Sequence, residues 1–116
     1  MKVRELVKIL DGEVISGEDK LDEDVKSIGA GDMMSEILAF AKPGMMILSA
    51  QASPQSVRTG IVTEILGLVI ISGKNIPQQT IEMAKKNNFL LIRTKYYMFC
   101  SCGRLFKAGF KGIDEK

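Results

Sequence analysis

Short apolar runs and amphipathic segments alternate regularly along the chain from residue 45 onward. The runs LVII and FLLI contain no polar alternation, which is typical of strands covered on both faces in a parallel sheet. The segments between the runs carry apolar residues at helical spacing. The pattern therefore predicts strands over 45–48, 68–71 and 89–92, and helices over 54–66, 77–86 and 97–108. Right-handed β-α-β crossovers are the expected connections.

The first 44 residues are less regular but also contain helix and strand patterns. Before Asp11-Gly12 stops the periodicity, four apolar residues recur at helical spacing: Val3, Leu6, Val7 and Leu10. Short strands are predicted over 13–16 and 25–29. Asp32 can cap a further helix, and this helix is expected to end at Lys42-Pro43-Gly44. The buried face of that helix is expected to carry Met33, Ile37, Leu38 and Phe40.

These elements predict an α/β fold, a layered and mostly parallel sheet flanked by helices. The chain has 116 residues, which fits one compact domain over 1–113 followed by a charged tail over 114–116. Hydrophobic residues make up 46% and charged residues 26%, as in ordinary globular proteins. A disordered chain is therefore not expected.

Charge and cysteine content narrow the function classes. The net charge is only +2 with no concentrated basic stripe, so a nucleic-acid partner is not expected. No apolar run approaches the roughly 18 residues of a membrane span, and a cytoplasmic protein is the default expectation. Cys100 and Cys102 are too few for a disulfide framework and too close for an ordinary bridge, so reduced thiols are expected.

The sequence contains no histidine. This excludes histidine-based acid-base catalysis, histidine metal sites and Ser-His-Asp triads. A metal site built on the two cysteines is also disfavoured, because positions two apart on a helix point about 200° apart. Cys102 is instead predicted to be a core thiol on an apolar stripe with Met98, Leu105 and Phe106. We predict no metal and no cofactor, with a cysteine site shared across a dimer as a remote alternative.

Candidate binding residues lie in three loops that follow predicted strands, at 49–53, 72–76 and 94–96. In an open parallel sheet, ligands bind at the carboxyl ends of the strands. Ser53 and Pro54 form a helix start, and Ser53 can cap the exposed amides. Arg58 gains nothing from the helix dipole in the second turn, which suggests another partner such as a phosphate or a carboxylate. Ser72-Gly73-Lys74 lacks the spacing of a phosphate loop.

The predicted ligand-binding residues are Gln51, Ser53, Arg58, Thr59, Gly60, Lys74 and Lys95. For Arg58, Thr59 and Gly60, a structural role is the alternative to a role in binding. Taken alone, Arg58 is better explained as a solvated or interface arginine; Thr59 can be tolerated helix surface, and Gly60 a point of close helix packing.

With its elements placed in this way, the chain resembles the DRTGG domain family over nearly its full length. Local matches occur in order over 1–17, 25–33, 43–49, 67–77 and 89–97. The family signature falls on Val57–Ile61, where Arg58, Thr59 and Gly60 match but the Asp and the final Gly do not. The resemblance implies an α/β domain related to the N-terminal domain of HPr kinase. It brings no catalytic residues to this sequence.

The resemblance also implies a role. Such domains look like regulatory and dimerising modules in phosphotransacetylases and in pyrophosphatases that carry CBS domains. The leading prediction is thus a non-enzymatic regulatory or ligand-sensing homodimer. One alternative is a small-anion module for a nucleotide or acyl phosphate. Another is an accessory protein of an iron-hydrogenase or electron-transfer system, because 98–106 resembles free-standing members encoded near such genes.

Overall fold

The structure is a computed structural model and describes residues 1–114. Within this range there are five strands and five α-helices, which alternate except that a short 3-10 turn, Glu18–Lys20, lies between the first two strands. The helices are α1 (Val3–Ile9), α2 (Met34–Phe40), α3 (Pro54–Thr63), α4 (Gln78–Lys86) and α5 (Met98–Ala108). The strands are β1 (Glu13–Ser16), β2 (Ser27–Ala30), β3 (Met45–Ser49), β4 (Gly67–Ile70) and β5 (Leu90–Arg93). No helix in this part of the chain is long and apolar enough to cross a bilayer.

The strands form one sheet in the order β1-β5-β4-β3-β2. Strands β2 to β5 are parallel, and β1 joins the edge antiparallel to β5 with Glu13 opposite Arg93. The predicted mostly parallel α/β sheet is therefore confirmed. The antiparallel pairing brings the beginning of β1 to the carboxyl end of β5.

Helices cover the sheet on both faces. Successive side chains of a strand point to opposite faces, so β3 sends Met46 and Leu48 to one side and Met45 and Ile47 to the other. The first side packs against α1 and α5, and the second against α2, α3 and α4. All five residues of β3 are buried, which explains why its sequence shows no polar alternation.

The predicted start of α2 is wrong in one detail. Met33, not Asp32, is the residue at the N-cap position. The Asp32 carboxylate accepts hydrogen bonds from the Ala50 amide at 2.7 Å and from the Ser49 hydroxyl at 3.3 Å. Asp32 thus ties the end of β2 to the end of β3. Of the predicted buried face of α2, Ile37 is buried, whereas Met33 and Leu38 are exposed.

Phe106, which was predicted to share the apolar stripe of Cys102, is exposed, and Ile61 on α3 is exposed as well. Helix α3 ends at Thr63 because Glu64 adopts a left-handed conformation, with φ 59°. The chain then turns back, and Ile65 becomes buried from the turn rather than from the helix. Cys102 is half-buried and packs against the core, in line with its predicted place on the inner side of α5.

Candidate functional site

The loops that follow β3, β4 and β5 lie at one edge of the sheet, as the parallel strand order requires. Two of them are joined by backbone hydrogen bonds. The Ser72 amide donates to the Tyr96 carbonyl at 2.8 Å, and the Gly73 amide donates to the Thr94 carbonyl at 2.9 Å. The loops after β4 and β5 therefore form one connected surface.

A left-handed turn shapes the loop after β4. Ser72 and Gly73 have φ angles of 61° and 62°, a region that non-glycine residues such as Ser72 rarely occupy. A Cβ atom added to Gly73 would lie 3.7 Å from the Lys95 Cα atom, in ordinary van der Waals contact. The turn thus brings the Gly73 backbone beside the loop that carries Lys95.

Thr94 anchors this edge to the rest of the molecule. Its buried hydroxyl donates to the Leu10 carbonyl at 2.7 Å, beyond the end of α1, and accepts a hydrogen bond from the Tyr96 amide at 3.3 Å. The hydroxyl consequently links the loop after β5 with the turn between α1 and β1. That turn carries Asp11 and leads into Glu13, the first residue of β1, so both carboxylates reach the same edge.

A polar cleft of about 380 Å³ opens here, lined by Asp11, Glu13, Gly73, Asn75, Arg93 and Lys95. Its cations and carboxylates are paired. The Arg93 guanidinium donates to the Glu13 carboxylate, and the Lys95 ammonium lies 3.4 Å from the Asp11 carboxylate. Both side chains of the Lys95–Asp11 pair are 71% exposed. The charged residues that line the cleft therefore balance, two against two.

Some of the predicted binding residues lie at the cleft, and the others lie elsewhere on the molecule. Lys95 lines the cleft, and the exposed Lys74 lies between the lining residues Gly73 and Asn75. Gln51 and Ser53 belong to the loop after β3 and do not line it. Ser53 is the N-cap residue of α3, but its side chain makes no capping hydrogen bond, contrary to the prediction.

The three matching signature residues differ in burial. Arg58 is exposed and donates to the Gln55 side-chain oxygen at 2.7 Å, so its partner is a neutral amide of its own helix. Thr59 and Gly60 are buried. A Cβ atom on Gly60 would lie 2.5 Å from the Phe89 Cζ atom, which confirms close packing as the reason for this glycine. A ligand role for the three residues stays a prediction.

Five of the residues that line the cleft are not among the predicted binding residues, namely Asp11, Glu13, Gly73, Asn75 and Arg93. Asp11 was interpreted only as a helix stop, and Glu13 only as the start of a strand. Their place at the carboxyl edge follows from the antiparallel direction of β1, which no local pattern reveals. Asn75 lies in the predicted binding loop 72–76, where its polar side chain is a feature of the sequence that indicates a binding residue.

The cysteines do not belong to this cleft. Cys100 and Cys102 lie on α5, where Cys100 is exposed and its sulfur accepts a hydrogen bond from Arg104 Nε at 3.4 Å. Burial raises the pKa of the Cys102 thiol and so disfavours its reactive thiolate form. No group of three or more residues among 1–114 is arranged to hold a metal ion.

The fold and the cleft define a small three-layer α/β domain with a polar opening at the carboxyl edge of its parallel strands. The particular family follows from the sequence. The model of the DRTGG domain matches residues 5–106, and the chain belongs to this family.

A solved structure has the same fold. It contains the CBS and DRTGG domains of the regulatory region of Clostridium perfringens pyrophosphatase, complexed with the activator diadenosine tetraphosphate. The TM-score is 0.72 at 20% sequence identity, and the match covers 86% of this chain and 44% of the other. The chain thus spans less than half of that protein. No curated protein matches the sequence.

Proposed function

We propose that this chain is a non-enzymatic, cytoplasmic regulatory domain that binds a nucleotide in the polar cleft and acts as a homodimer. The observation that carries the proposal is the cleft itself. It lies where open parallel sheets bind ligands, and its volume of about 380 Å³ is within the usual range for small-molecule sites.

The Lys95 ammonium of the cleft is available to a phosphate group. The Lys95–Asp11 pair is largely exposed, and exposed ion pairs contribute little to stability. A phosphate can therefore replace Asp11 as the partner of Lys95 at small cost. Lys74 is exposed beside the cleft and can add a second ammonium group.

The acidic residues favour a nucleotide over a simple anion. Asp11 and Glu13 repel inorganic phosphate, but their carboxylates can accept hydrogen bonds from ribose hydroxyls, as acidic residues do in dinucleotide sites. A ligand with both phosphates and hydroxyls satisfies both kinds of side chain. The regulatory region with the same fold was solved with a nucleotide activator, and this supports the same ligand class.

Substitution of Lys95 tests the site. Lys95→Ser removes a cleft cation, and Lys85→Ser is a matched control because Lys85 is an exposed lysine at the end of α4. Calorimetric titration with a panel of nucleoside di- and polyphosphates is expected to give roughly tenfold weaker binding for Lys95→Ser and unchanged binding for the control. Equal loss in both variants, or in neither, would contradict the site.

The proposed homodimer is supported by membership in a family whose domains resemble dimerising modules. A role as accessory protein of an iron-hydrogenase or electron-transfer system remains the alternative. Co-purification of a metalloenzyme with the tagged chain, from cells that carry its neighbouring genes, would favour that alternative over a nucleotide sensor.

A further inference from the structure

Helix α5 presents aromatic residues to solvent. Phe99 is 92% exposed and Phe106 is 68% exposed, although phenylalanine is among the residues most often buried. The two lie seven positions apart, so that roughly two helical turns separate them and both occupy one side of the helix. Single apolar residues scattered over a surface need no explanation, but two exposed phenylalanines that form a stripe on one side of a helix do.

An apolar groove of about 630 Å³ runs beside this stripe. Edge strand β2 forms its other wall with Ile28, Gly29 and Ala30, and Phe110 contributes a buried ring. Cys102 and Gly103 lie between the two exposed phenylalanines and also line the groove. We refer to this surface as the α5 groove. The groove and the stripe are continuous, so a partner that covers one also covers the other.

The stripe has the symmetry that a two-fold axis requires. The midpoint between Phe99 and Phe106 falls between Cys102 and Gly103, both small residues. A Cβ atom added to Gly103 would meet nothing within 4 Å, so the helix backbone is open there. Two antiparallel α5 helices can cross closely at this point. Phe106 of one protomer then packs against Phe99 of its partner, and the contact repeats on the other side.

Charges are placed so that they do not oppose this pairing. Arg104 and Lys107 line a different surface together with Lys8 of α1. The Arg104 guanidinium also stacks over the Tyr96 ring, 4.2 Å from its centroid, which holds it in place. Among the described residues that line the α5 groove, the charged ones are Lys111 and Asp114, which have opposite signs and so bring no net charge to it.

The exposed aromatic area is sufficient for the core of an interface. Two largely exposed phenylalanines offer roughly 300 Å² of apolar surface per protomer. A stable dimer buries about 800 Å² per protomer, with an apolar centre and a polar rim. We infer that the α5 groove is the homodimer interface, with a second copy of this chain as its occupant. This inference rests on the homodimer of the proposed function and assigns its surface.

Sedimentation velocity on the full chain over a range of concentrations tests the interface. The test variants are the double variant Phe99→Ser/Phe106→Ser and the single variant Gly103→Lys, whose new side chain enters open space in the protomer. Val62→Ser is the matched control, since Val62 is 69% exposed but lies on α3. Circular dichroism establishes that each variant is folded.

We expect wild type and Val62→Ser to be dimeric, and both groove variants to dissociate with a dissociation constant raised by about 30-fold or more. Dimers that persist in both folded groove variants would overturn the assigned surface and leave the homodimer standing. A strictly monomeric wild type at about 100 μM, the result expected if another protein or an apolar ligand fills the groove, would overturn the homodimer as well.

Discussion

At the scale of single residues, the structure shows a packing role for two of the matching signature residues, Thr59 and Gly60. Thr59 and Gly60 are buried against the core, whereas Arg58 faces solvent and bonds to Gln55. A buried glycine under an aromatic ring fixes how closely α3 can approach the start of β5. This accounts for the glycine, although alanine is the better helix former.

Gly60→Ala is therefore expected to destabilise the domain. The added methyl group would lie 2.5 Å from Phe89 Cζ, and the ring is buried, so it cannot move aside without a shift of its neighbours. Overpacking of this kind costs about 1–3 kcal/mol, more than the gain of up to about 1 kcal/mol in helix propensity. Urea denaturation measures the loss. Gly31→Ala, where a Cβ atom meets nothing within 4 Å, should change stability by less than about 0.5 kcal/mol.

The two cysteines should differ in reactivity. Burial raises the pKa of Cys102, which lowers its thiolate fraction at any pH below that pKa, and Cys100 is exposed. Iodoacetamide at pH 8 is expected to alkylate Cys100 about tenfold faster, as measured by peptide mass spectrometry. In denaturant the two rates should converge. Equal rates in the folded protein would show that Cys102 is more open than its surroundings indicate.

At the scale of elements, single hydroxyl groups hold the loops at the carboxyl edge of the sheet. Thr94 ties the loop after β5 to the end of α1, and Thr80 donates to the Ala52 carbonyl at 2.8 Å, tying the loop after β3 to α4. Both threonines are buried. Each bond joins elements that are distant in the chain, so these hydroxyls position the edge on which a ligand is proposed to bind.

Thr94→Val should lower the free energy of unfolding by about 1–3 kcal/mol, because the isosteric change leaves the Leu10 carbonyl without this donor. Chemical denaturation measures the change. Thr63→Val is the matched control, since the Thr63 hydroxyl only bonds back to carbonyls of its own helix, Thr59 at 2.8 Å and Gly60 at 3.2 Å. An equally large loss of unfolding free energy in Thr63→Val would contradict a special role for the hydrogen bond between Thr94 and Leu10.

Local patterns predicted most elements but not the partners across the sheet. Strands β3, β4 and β5 were evident because burial on both faces leaves a continuous apolar run, as in LVII. The direction of β1 depends on pairing with a strand about 80 residues later, which no short pattern encodes. The two carboxylates of the cleft were missed for the same reason, since Asp11 and Glu13 reach it only through this pairing.

The outward-facing residues show a second limit of sequence patterns. Phe106 and Ile61 have helical apolar spacing, yet both are exposed. Periodicity states which residues share a side of a helix, but not whether that side meets this chain or another one. On α5 the exposed stripe belongs to the proposed dimer interface, and periodicity alone does not distinguish such a surface from a core face.

At the scale of the whole molecule, the two proposed functions occupy different surfaces. The polar cleft lies at the carboxyl edge beside β1 and β5, and the α5 groove lies beside edge strand β2, at the other end of the sheet. Because the lining residues of the two surfaces do not overlap, substitutions in one should leave the other intact. Ligand binding and dimerisation can therefore be tested separately.

The most direct test of the central claim is calorimetric titration of the wild-type domain with nucleotides, the corresponding nucleosides and inorganic phosphate. The mixed charge of the cleft predicts saturable binding of at least one nucleotide at micromolar to low millimolar concentration, and much weaker binding of nucleoside or phosphate alone. Absence of heat and of any melting-temperature shift with every nucleotide at about 5 mM would contradict a nucleotide-sensing domain.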